Sequence, residues 1–461
     1  MDKKEKTMKI SIKEGAAASV MSGFIDSYIT PYALALQANN AQIGFLSSIP
    51  NLLSPISQIF GSKIMEKYSR KRIIITAVSL HALMLLPILS LSLFFWKNLF
   101  STYLPIILIS LYSLFAIFGA IAGPAWFSLL GDIVPEKIRG RYFGKRNKIC
   151  GAIALIATIV AALILDLFKT KGLLLIGFSI LFLVACFARL ISAYLFKKHY
   201  EPKLKLEQGY YFSIWQFIKK APKNNFGRFA IYVALINLTT NIAGPFFAVY
   251  MLKDLGFSYI TFMLINISAS IFSLLFMPIW GKFSDKYGNR MLLKIGSFLV
   301  PLLPIAWLFS SSPLYLALVP QLISGLAWSA FNLAAGNFIY DSVSVQRRGI
   351  CVAYYNLLNG VGIFLGATIG GLIAQYLSIS FMNVFLFIFL ISGIARFIVA
   401  VIFVPKIKEV RKVVGGSPSL YLKEIITNGI VYGIINDLKG IIHLSKKGLL
   451  KFNFQLQNNL K

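Results

Sequence analysis

The sequence predicts an all-α integral membrane protein whose twelve transmembrane helices form two six-helix repeats. The first observation is composition: 57% of the 461 residues are hydrophobic and only 13% are charged. The mean hydropathy is +0.74. Soluble domains carry about 25% charged residues. A chain this apolar has too few polar groups to cover a water-facing surface, whereas lipid tails accept apolar side chains directly.

The second observation is the spacing of the apolar residues. They form twelve blocks, at about 16–36, 41–62, 73–95, 103–130, 148–167, 172–195, 229–251, 258–280, 291–310, 313–339, 350–376 and 380–404. Each block is long enough to cross about 30 Å of hydrocarbon as a helix. Helices are required because lipid offers no hydrogen-bond partner to a free backbone group.

Basic residues between the blocks predict the orientation. With the N-terminus inside, 40 of the 46 Lys and Arg residues fall in inner segments and four in outer segments. This bias predicts a multi-pass protein of the cell membrane with both termini cytoplasmic. The net charge of +30 therefore reflects topology, and nucleic-acid binding is not expected.

The blocks divide the chain into four parts. The prediction is an N-terminal six-helix half at 1–196, a cytoplasmic linker at 197–228, a C-terminal half at 229–404 and a tail at 405–461. The first block is longer than the apolar core of a signal peptide, so it is expected to stay as a helix. The basic tail has apolar residues at helical spacing, which predicts an amphipathic helix on the inner leaflet.

The third observation is an internal repeat. Asp132, after block 4, is followed seven residues later by Arg139 and a glycine, and Asp341, after block 10, by Arg348 and a glycine. A second pair of similar stretches lies at the ends of blocks 2 and 8. The first contains Gly61, Glu66 and Arg70, and the second contains Gly281, Asp285, Gly288 and Arg290. Matching motifs in the same order in both halves indicate a duplicated six-helix unit, which is a frequent basis of transporter folds.

These motifs resemble those of the major facilitator superfamily. The stretch from Gly281 to Arg290 matches the family's loop motif well, while the 61–72 copy has one extra residue and carries Glu66 where the motif has Asp. The resemblance covers about residues 16–404. It implies a secondary transporter that works by alternating access between two halves, with a small-molecule substrate near the middle of the membrane.

The resemblance also implies a gating role for the motif residues. Gly281 and Gly288 are expected to permit a tight turn between helices. Asp285 can face the start of helix 5, where the partial positive charge of a helix N-terminus favours an anion, and Glu66 can do the same at helix 11. Such contacts would stabilise the outward-facing state. The alternative is that the motif only anchors the topology.

Asp26 lies in the middle of block 1, about 15 Å from either membrane face, and no other block has an acid at its centre. An ionisable residue at this depth is a functional candidate. If transport is coupled to protons, Asp26 is the expected carrier. In the alternative interpretation, it only hydrogen-bonds a nearby polar side chain.

Other polar residues within the blocks are candidates for lining a substrate and proton pathway. Together with Asp26 they are Tyr28, Asn237, Thr240, Asn241, Asn266, Gln321, Asn332 and Asn337. Ordinary hydrogen bonding between helices is the alternative for each of them. Arg189 and Arg396 lie near inner helix ends, where snorkelling explains them. Gly362, Gly366 and Gly370 recur every fourth residue, which favours close helix packing.

The resulting prediction is a secondary transporter of a small solute, proton-coupled through Asp26 and exporting drugs or hydrophobic compounds. The alternatives are an importer of a sugar or other small metabolite and a membrane sensor without flux. No phosphate-binding loop of the kind ATP-driven pumps carry is found. Asp26 has no paired acid, His or Cys at its depth, so an enzyme is not expected. No cofactor or metal is expected, and the partners are the substrate, H⁺ and the lipid bilayer around a monomer.

Overall fold

The computed structural model describes residues 3–65, 67–202, 213–411 and 413, which are helical apart from short connections. The twelve spans, in chain order, are Lys3–Ile25 with Ile29–Ala35 (span 1), Asn40–Ile64 (span 2), Arg70–Leu83 with Leu85–Trp96 (span 3), Leu104–Ile133 (span 4), Glu136–Thr170 (span 5), Leu174–Phe196 (span 6), Asn225–Ala243 with Phe246–Val249 and the π-helical Tyr250–Asp254 (span 7), Tyr259–Tyr287 (span 8), Asn289–Leu299 with Leu302–Ala306 (span 9), Pro313–Ser342 (span 10), Val345–Tyr376 (span 11) and Val384–Phe403 (span 12).

Spans 3 to 12 are long and apolar enough to cross a membrane by length and composition. Spans 1 and 2 are more polar. Span 1 begins in a Lys-rich segment and is interrupted at residues 26–28. Span 2 carries a row of polar side chains on one face, namely Ser47, Asn51, Ser54, Gln58 and Ser62. The predicted all-α fold of twelve helices in two repeats is confirmed, and these two helices depart from a purely apolar pattern.

The two repeats pack in the same way. In the first, span 1 packs against spans 5 and 6, span 2 against span 4, and span 3 against spans 4 and 6. In the second, span 7 packs against spans 11 and 12, span 8 against span 10, and span 9 against spans 10 and 12. A short helix, Ile214–Lys220, precedes span 7 in the connection between the repeats.

The repeats meet along two antiparallel pairs of helices, span 2 with span 11 and span 5 with span 8. Span 11 also packs closely on span 7: an added Cβ at Gly362, Gly366 or Gly370 would run into the carbonyl oxygens of Ala234, Leu238 and Ile242, respectively. The predicted packing role of the three glycines is therefore confirmed.

Four spans are interrupted at equivalent places in the two repeats. Span 1 breaks at residues 26–28 and span 7 at residues 244–245, while span 3 breaks at Met84 and span 9 at residues 300–301. Proline lies at or shortly after each break, as Pro31, Pro87, Pro245 and Pro301. Because proline lacks an N–H, it leaves a carbonyl of the preceding turn without its helical partner.

Candidate functional site

The break in span 1 places Asp26 at the end of its first helix. The side chain of Asp26 is exposed. It hydrogen-bonds Ser22 one turn earlier, and the phenol of Tyr112 on span 4 lies close enough to interact with its charge. The backbone N–H of Asp26 still donates to the carbonyl of Ser22 at 2.9 Å. An acid in the middle of the first span is thus accessible, with Ser22 as a polar partner on its own helix and the phenol of Tyr112 nearby on span 4.

Tyr28 occupies a different environment. It is completely buried, and its hydroxyl donates to the carbonyl oxygen of Thr158 on span 5 at 2.6 Å. Tyr32, one turn later, is also buried and bonds the carbonyl of Ile88 on span 3 at 3.0 Å. Both hydroxyls are therefore used in packing span 1 against its own repeat. In this conformation Tyr28 positions the break beside Asp26 rather than facing an opening.

Polar residues follow one face of span 1 and one face of span 8. On span 1 they are Ser19, Ser22, Asp26 and Thr30. On span 8, Asn266 and Ser270 are exposed and Ser273 is half-buried along the same helical face. A row of polar side chains on a membrane helix indicates water or protein beside it, because lipid offers such groups no partner. Sequence reasoning found Asn266 and missed the two serines, although their spacing of four and three residues was visible.

Span 7 holds three of the predicted pathway residues, all half-buried. The amide of Asn241 donates to the carbonyl of Asn237 at 2.8 Å, so these two residues are linked one turn apart. The hydroxyl of Thr240 is buried and has no hydrogen-bond partner among the residues that the structure describes, and the carbonyl of Thr240 accepts from Arg396 of span 12 at 3.3 Å. The structure therefore brings Asn237 and Asn241 together just before the break in span 7.

Span 10 separates its three candidates. Gln321 is buried and Asn332 is exposed. Asn337 lies farther along the helix, and its amide donates to Asn289 on span 9 at 3.2 Å. Asn337 therefore belongs to a polar network at the helix ends, described below, and not to the middle of the membrane.

The end of the bundle that carries the N-terminus and most basic loops is called the basic end, and the other the opposite end. Contacts between the two repeats are formed at the opposite end. The carboxylate of Asp166 accepts from the backbone N–H groups of Tyr259 and Ile260 at 2.8 and 2.9 Å. The amide of Asn40 donates to the carbonyl of Ala374 at 2.9 Å. At the basic end of span 2, Phe60 is 58% exposed. The conformation is therefore closed at the opposite end, with the basic end of span 2 uncovered.

At the basic end of the first repeat, Arg70 is the centre of the loop motif. Its side chain is 1% exposed and pairs with Asp132 at 2.6 Å. It also donates to Ser128 at 2.9 Å and to the carbonyl of Pro202 at 2.7 Å. The carboxylate of Glu201, which follows span 6, accepts from the backbone N–H of Lys71 at 3.3 Å. The two motifs of this repeat and the segment after its last helix thus form one network.

The second repeat builds the same arrangement from different residues. Asn289 aligns with Arg70, and its amide donates to Asp341 at 2.6 Å. The guanidinium comes instead from Arg411, which follows span 12 and contacts Asp341 at 2.8 Å. Glu409 accepts from the backbone N–H of Arg290 at 2.7 Å, as Glu201 does from Lys71.

The remaining motif residues are placed as follows. Gly288 has φ +86° and ends span 8, so it supplies the predicted tight turn. Gly281 lies inside span 8, so the interpretation of Gly281 as a turn residue is wrong. Gly61 likewise lies inside span 2, close to the carbonyl of Ile121 on span 4. Asp285 is 83% exposed and lies 3.8 Å from Arg411. Glu66 and the side chains of Arg139 and Arg348 fall outside the described residues.

Snorkelling does not describe Arg396. It is completely buried and donates to Ser392 at 3.1 Å and to the carbonyl of Val300 at 3.2 Å. The helical partner of that carbonyl would be the N–H of residue 304, which is Pro304 and has none. Arg396 therefore satisfies a carbonyl freed by the break in span 9. Arg189, its counterpart in span 6, donates to His81 on span 3 at 3.2 Å.

A protein with twelve spans in two repeats, interrupted helices and paired basic-end motifs belongs to the class of secondary transporters. The chain belongs to the Major Facilitator Superfamily, whose family model matches residues 15–239 and again residues 229–445. The family consists of transporters and not of enzymes.

Relatives in sequence include an MFS-type transporter of Methanocaldococcus jannaschii, 25% identical over 82% of this chain and 93% of its own length. The multidrug resistance protein MdtG of Salmonella arizonae is 23% identical over 78% of this chain and 85% of its own. A multi-drug resistance efflux pump PmrA homolog of Lactococcus lactis is 22% identical over 79% of this chain and 86% of its own length.

Solved structures share the fold. A mutant of the nucleoside transporter NupG matches with a TM-score of 0.66 at 16% identity, over 87% of this chain and all of its own. A bacterial homologue of the iron transporter ferroportin, in the inward-facing state, has a TM-score of 0.66 at 13% identity. The match covers 87% of this chain and 98% of that homologue. A D-xylose–proton symporter has a TM-score of 0.65 at 17% identity, and the match covers 89% of this chain and 99% of the symporter.

Proposed function

We propose that this transporter moves a small solute by alternating access and is coupled to protons through Asp26. The observation that carries the coupling is the accessible carboxylate at the break in span 1. Its hydrogen-bond partner Ser22 and the nearby phenol of Tyr112 are neutral. A carboxylate without a paired cation can take up and release a proton as the access to water changes, whereas a fixed ion pair would hold it ionised.

The basic residues support a cytoplasmic basic end, and hence cytoplasmic termini in the cell membrane. On that orientation the described conformation is inward-facing. The proposed parts of the chain are a first half at 1–196, a linker at 197–228, a second half at 229–404 and a tail at 405–461, of which residues 414–461 lie outside the described residues. The network at the basic end of each half is completed by the segment that follows that half in the same chain, through Glu201 or Arg411, which supports a monomer as the working unit.

Export of drugs or hydrophobic compounds is the first candidate activity. Two relatives in sequence carry multidrug resistance or efflux names. Arg396 contacts the carbonyl of Thr240 one turn before the break in span 7, but it is completely buried and already bonded to Ser392 and to backbone carbonyls, which argues against its binding an organic anion or phosphate. A lone acid in an otherwise neutral pathway is suited to an apolar or cationic compound.

Import of a polar metabolite is the second candidate. Asn266 and Asn332 are exposed, and Asn237 and Asn241 are half-buried. Side-chain amides both donate and accept hydrogen bonds, which suits the hydroxyl groups of a sugar or nucleoside. Structures of a nucleoside transporter and of a D-xylose–proton symporter share the fold.

Uptake into proteoliposomes distinguishes the candidates. The panel would contain a fluorescent lipophilic cation, a nucleoside and a pentose, tested with the wild type and with Asn266→Ala combined with Asn332→Ala. Thr170→Ala, on the exposed end of span 5, is the matched control. We expect the wild type to show saturable flux of one of the three classes of compound. The double variant should lower this flux, and the Thr170→Ala control should leave it unchanged. Ligand binding without flux of any panel member would contradict the transport proposal.

A further inference from the structure

Asp166 joins the two repeats at the opposite end. It lies one turn before the end of span 5, and each of its carboxylate oxygens accepts one backbone N–H from span 8. These are the amides of Tyr259 and Ile260, the first two residues of that helix. One side chain of the first repeat therefore takes two hydrogen bonds from the second.

The contact completes the cap of span 8. The first amides of an α-helix have no partner within the helix. The hydroxyl of Ser258 accepts from Thr261 at 3.1 Å, and Asp166 takes the two amides before it. The negative charge of Asp166 also lies at the end of the helix where partial positive charge accumulates. The start of span 8 thus depends on the first repeat for two of its three caps.

Spans 5 and 8 are antiparallel, so the same geometry is available at the basic end with the roles exchanged. Asp285 lies there in the last turn of span 8, and span 5 begins there after Pro135, which makes no side-chain cap. In the described conformation Asp285 is 83% exposed and lies 3.8 Å from Arg411. Each helix therefore carries an aspartate near its C-terminal end that can cap the start of the other, and the contact formed is the one at the opposite end.

We propose that Asp166 is the latch that keeps the opposite end closed, and that Asp166 and Asp285 cap their partner helices in alternate conformations. Tilting two packed helices about one end separates the other end, so the two caps exclude each other. The inference rests on the proposed alternating access. It assigns to Asp166 a positioning role that is separate from the coupling role of Asp26.

The test measures distances between spin labels in protein reconstituted into lipid nanodiscs. Cys150, Cys186 and Cys351 would first be replaced. Label pairs would then be introduced by Thr170→Cys with Lys253→Cys at the opposite end, and by Arg141→Cys with Lys282→Cys at the basic end; all four positions are exposed. The variants are Asp166→Asn, which keeps the shape of the side chain, and Asp166→Ala.

Asp254→Asn is the matched control. Asp254 is an acid at the same end, but its partner is Asn383 of its own repeat, at 2.7 Å. We expect both Asp166 variants to raise the share of molecules with a long opposite-end distance and a short basic-end distance about tenfold, with the larger shift for Asp166→Ala. The control should keep the wild-type ratio.

The latch proposal would be wrong if both Asp166 variants kept the wild-type ratio of the two conformations. It would also be wrong if Asp254→Asn changed that ratio as much as the Asp166 variants do. If Asp285→Asn changes the ratio while the Asp166 variants do not, alternating access stands and the latch alone fails. If every protein, wild type included, shows one conformation under all conditions, the latch and the proposed cycle fail together.

Discussion

Arg70 donates to Asp132 across 2.6 Å and so joins two sequence motifs through residues that lie 62 positions apart in the chain. In the second repeat the same position is held by a neutral residue, Asn289, bonded to Asp341 at 2.6 Å. The duplicated fold has thus kept the geometry and changed the charge. The guanidinium missing from the second motif is supplied by Arg411, beyond the last span.

This asymmetry predicts different sensitivities for the two aspartates. Asp132→Asn leaves the buried guanidinium of Arg70 without its main counter-charge, whereas Asp341→Asn leaves a neutral Asn289 and the half-exposed Arg411. Removing the counter-charge of a buried cation costs more than removing that of an exposed one, and Arg70 is 1% exposed while Arg411 is 37% exposed. We expect Asp132→Asn to lower the melting temperature of purified protein more than Asp341→Asn. Equal shifts would show that Arg70 does not depend on this pair.

Gly366 predicts a second effect on stability. A methyl group there would overlap the carbonyl oxygen of Leu238 on span 7, so Gly366→Ala must force spans 7 and 11 apart. Gly336→Ala is the control, because none of the described residues lies within 4 Å of its added Cβ and alanine favours the helix. Thermal unfolding in detergent should show a large loss for Gly366→Ala and none for Gly336→Ala. A neutral Gly366→Ala would contradict the close approach of the two spans.

The buried contacts of Arg396 lead to a third prediction about stability. Arg396→Met removes the donor that satisfies the carbonyl of Val300 at the break in span 9. A buried carbonyl left without a partner costs about 1–3 kcal/mol. Phe397→Met, on the exposed neighbour, is the matched control. We expect a clear drop in melting temperature for the first variant only; similar values for both would restore the snorkelling interpretation.

His199 predicts a pH dependence of stability. It lies just beyond span 6 and is buried, and burial together with the nearby charges of Lys71 and Arg146 lowers its pKa to about 4. Because the pKa in the folded state lies below the ordinary value of 6.5, the unfolded chain binds a proton more readily between pH 6.5 and 4. The stability that neutral His199 allows is therefore present above pH 6.5 and is lost as the pH falls towards 4.

The measurement compares melting temperatures of the wild type and His199→Gln from about pH 7.5 to 4.5, a range that brackets the ordinary pKa of histidine. The wild type should lose more than the variant below pH 6.5. Parallel curves would mean that His199 is protonated freely in the folded protein.

Sequence reasoning reached the fold because hydropathy and basic-residue spacing report directly on membrane crossing. Its block of 229–251 corresponds to a span of Asn225–Asp254, for example. The echoes around Asp132 and Asp341 also predicted correctly that two repeats share one packing pattern. The glycines of span 11 were understood because spacing alone limits what small residues can do in a helix pair.

Side-chain environments were less accessible to the sequence. Tyr28 and Asp26 are two residues apart, yet the break in span 1 buries the first and exposes the second. Arg396 was misread because its partner carbonyl is freed by a proline 92 residues away in the chain. The contact of Asp166 could not be predicted from the sequence, since its partners belong to the other repeat. Each of these depends on contacts between distant segments, which one sequence without its fold does not specify.

The most direct test of the account is the luminal pH of sealed proteoliposomes containing the wild type or Asp26→Asn, during addition of the compound panel. We predict a compound-dependent pH change with the wild type that Asp26→Asn abolishes while it still binds the compound. Compound flux without any pH change in either protein would contradict proton coupling through Asp26.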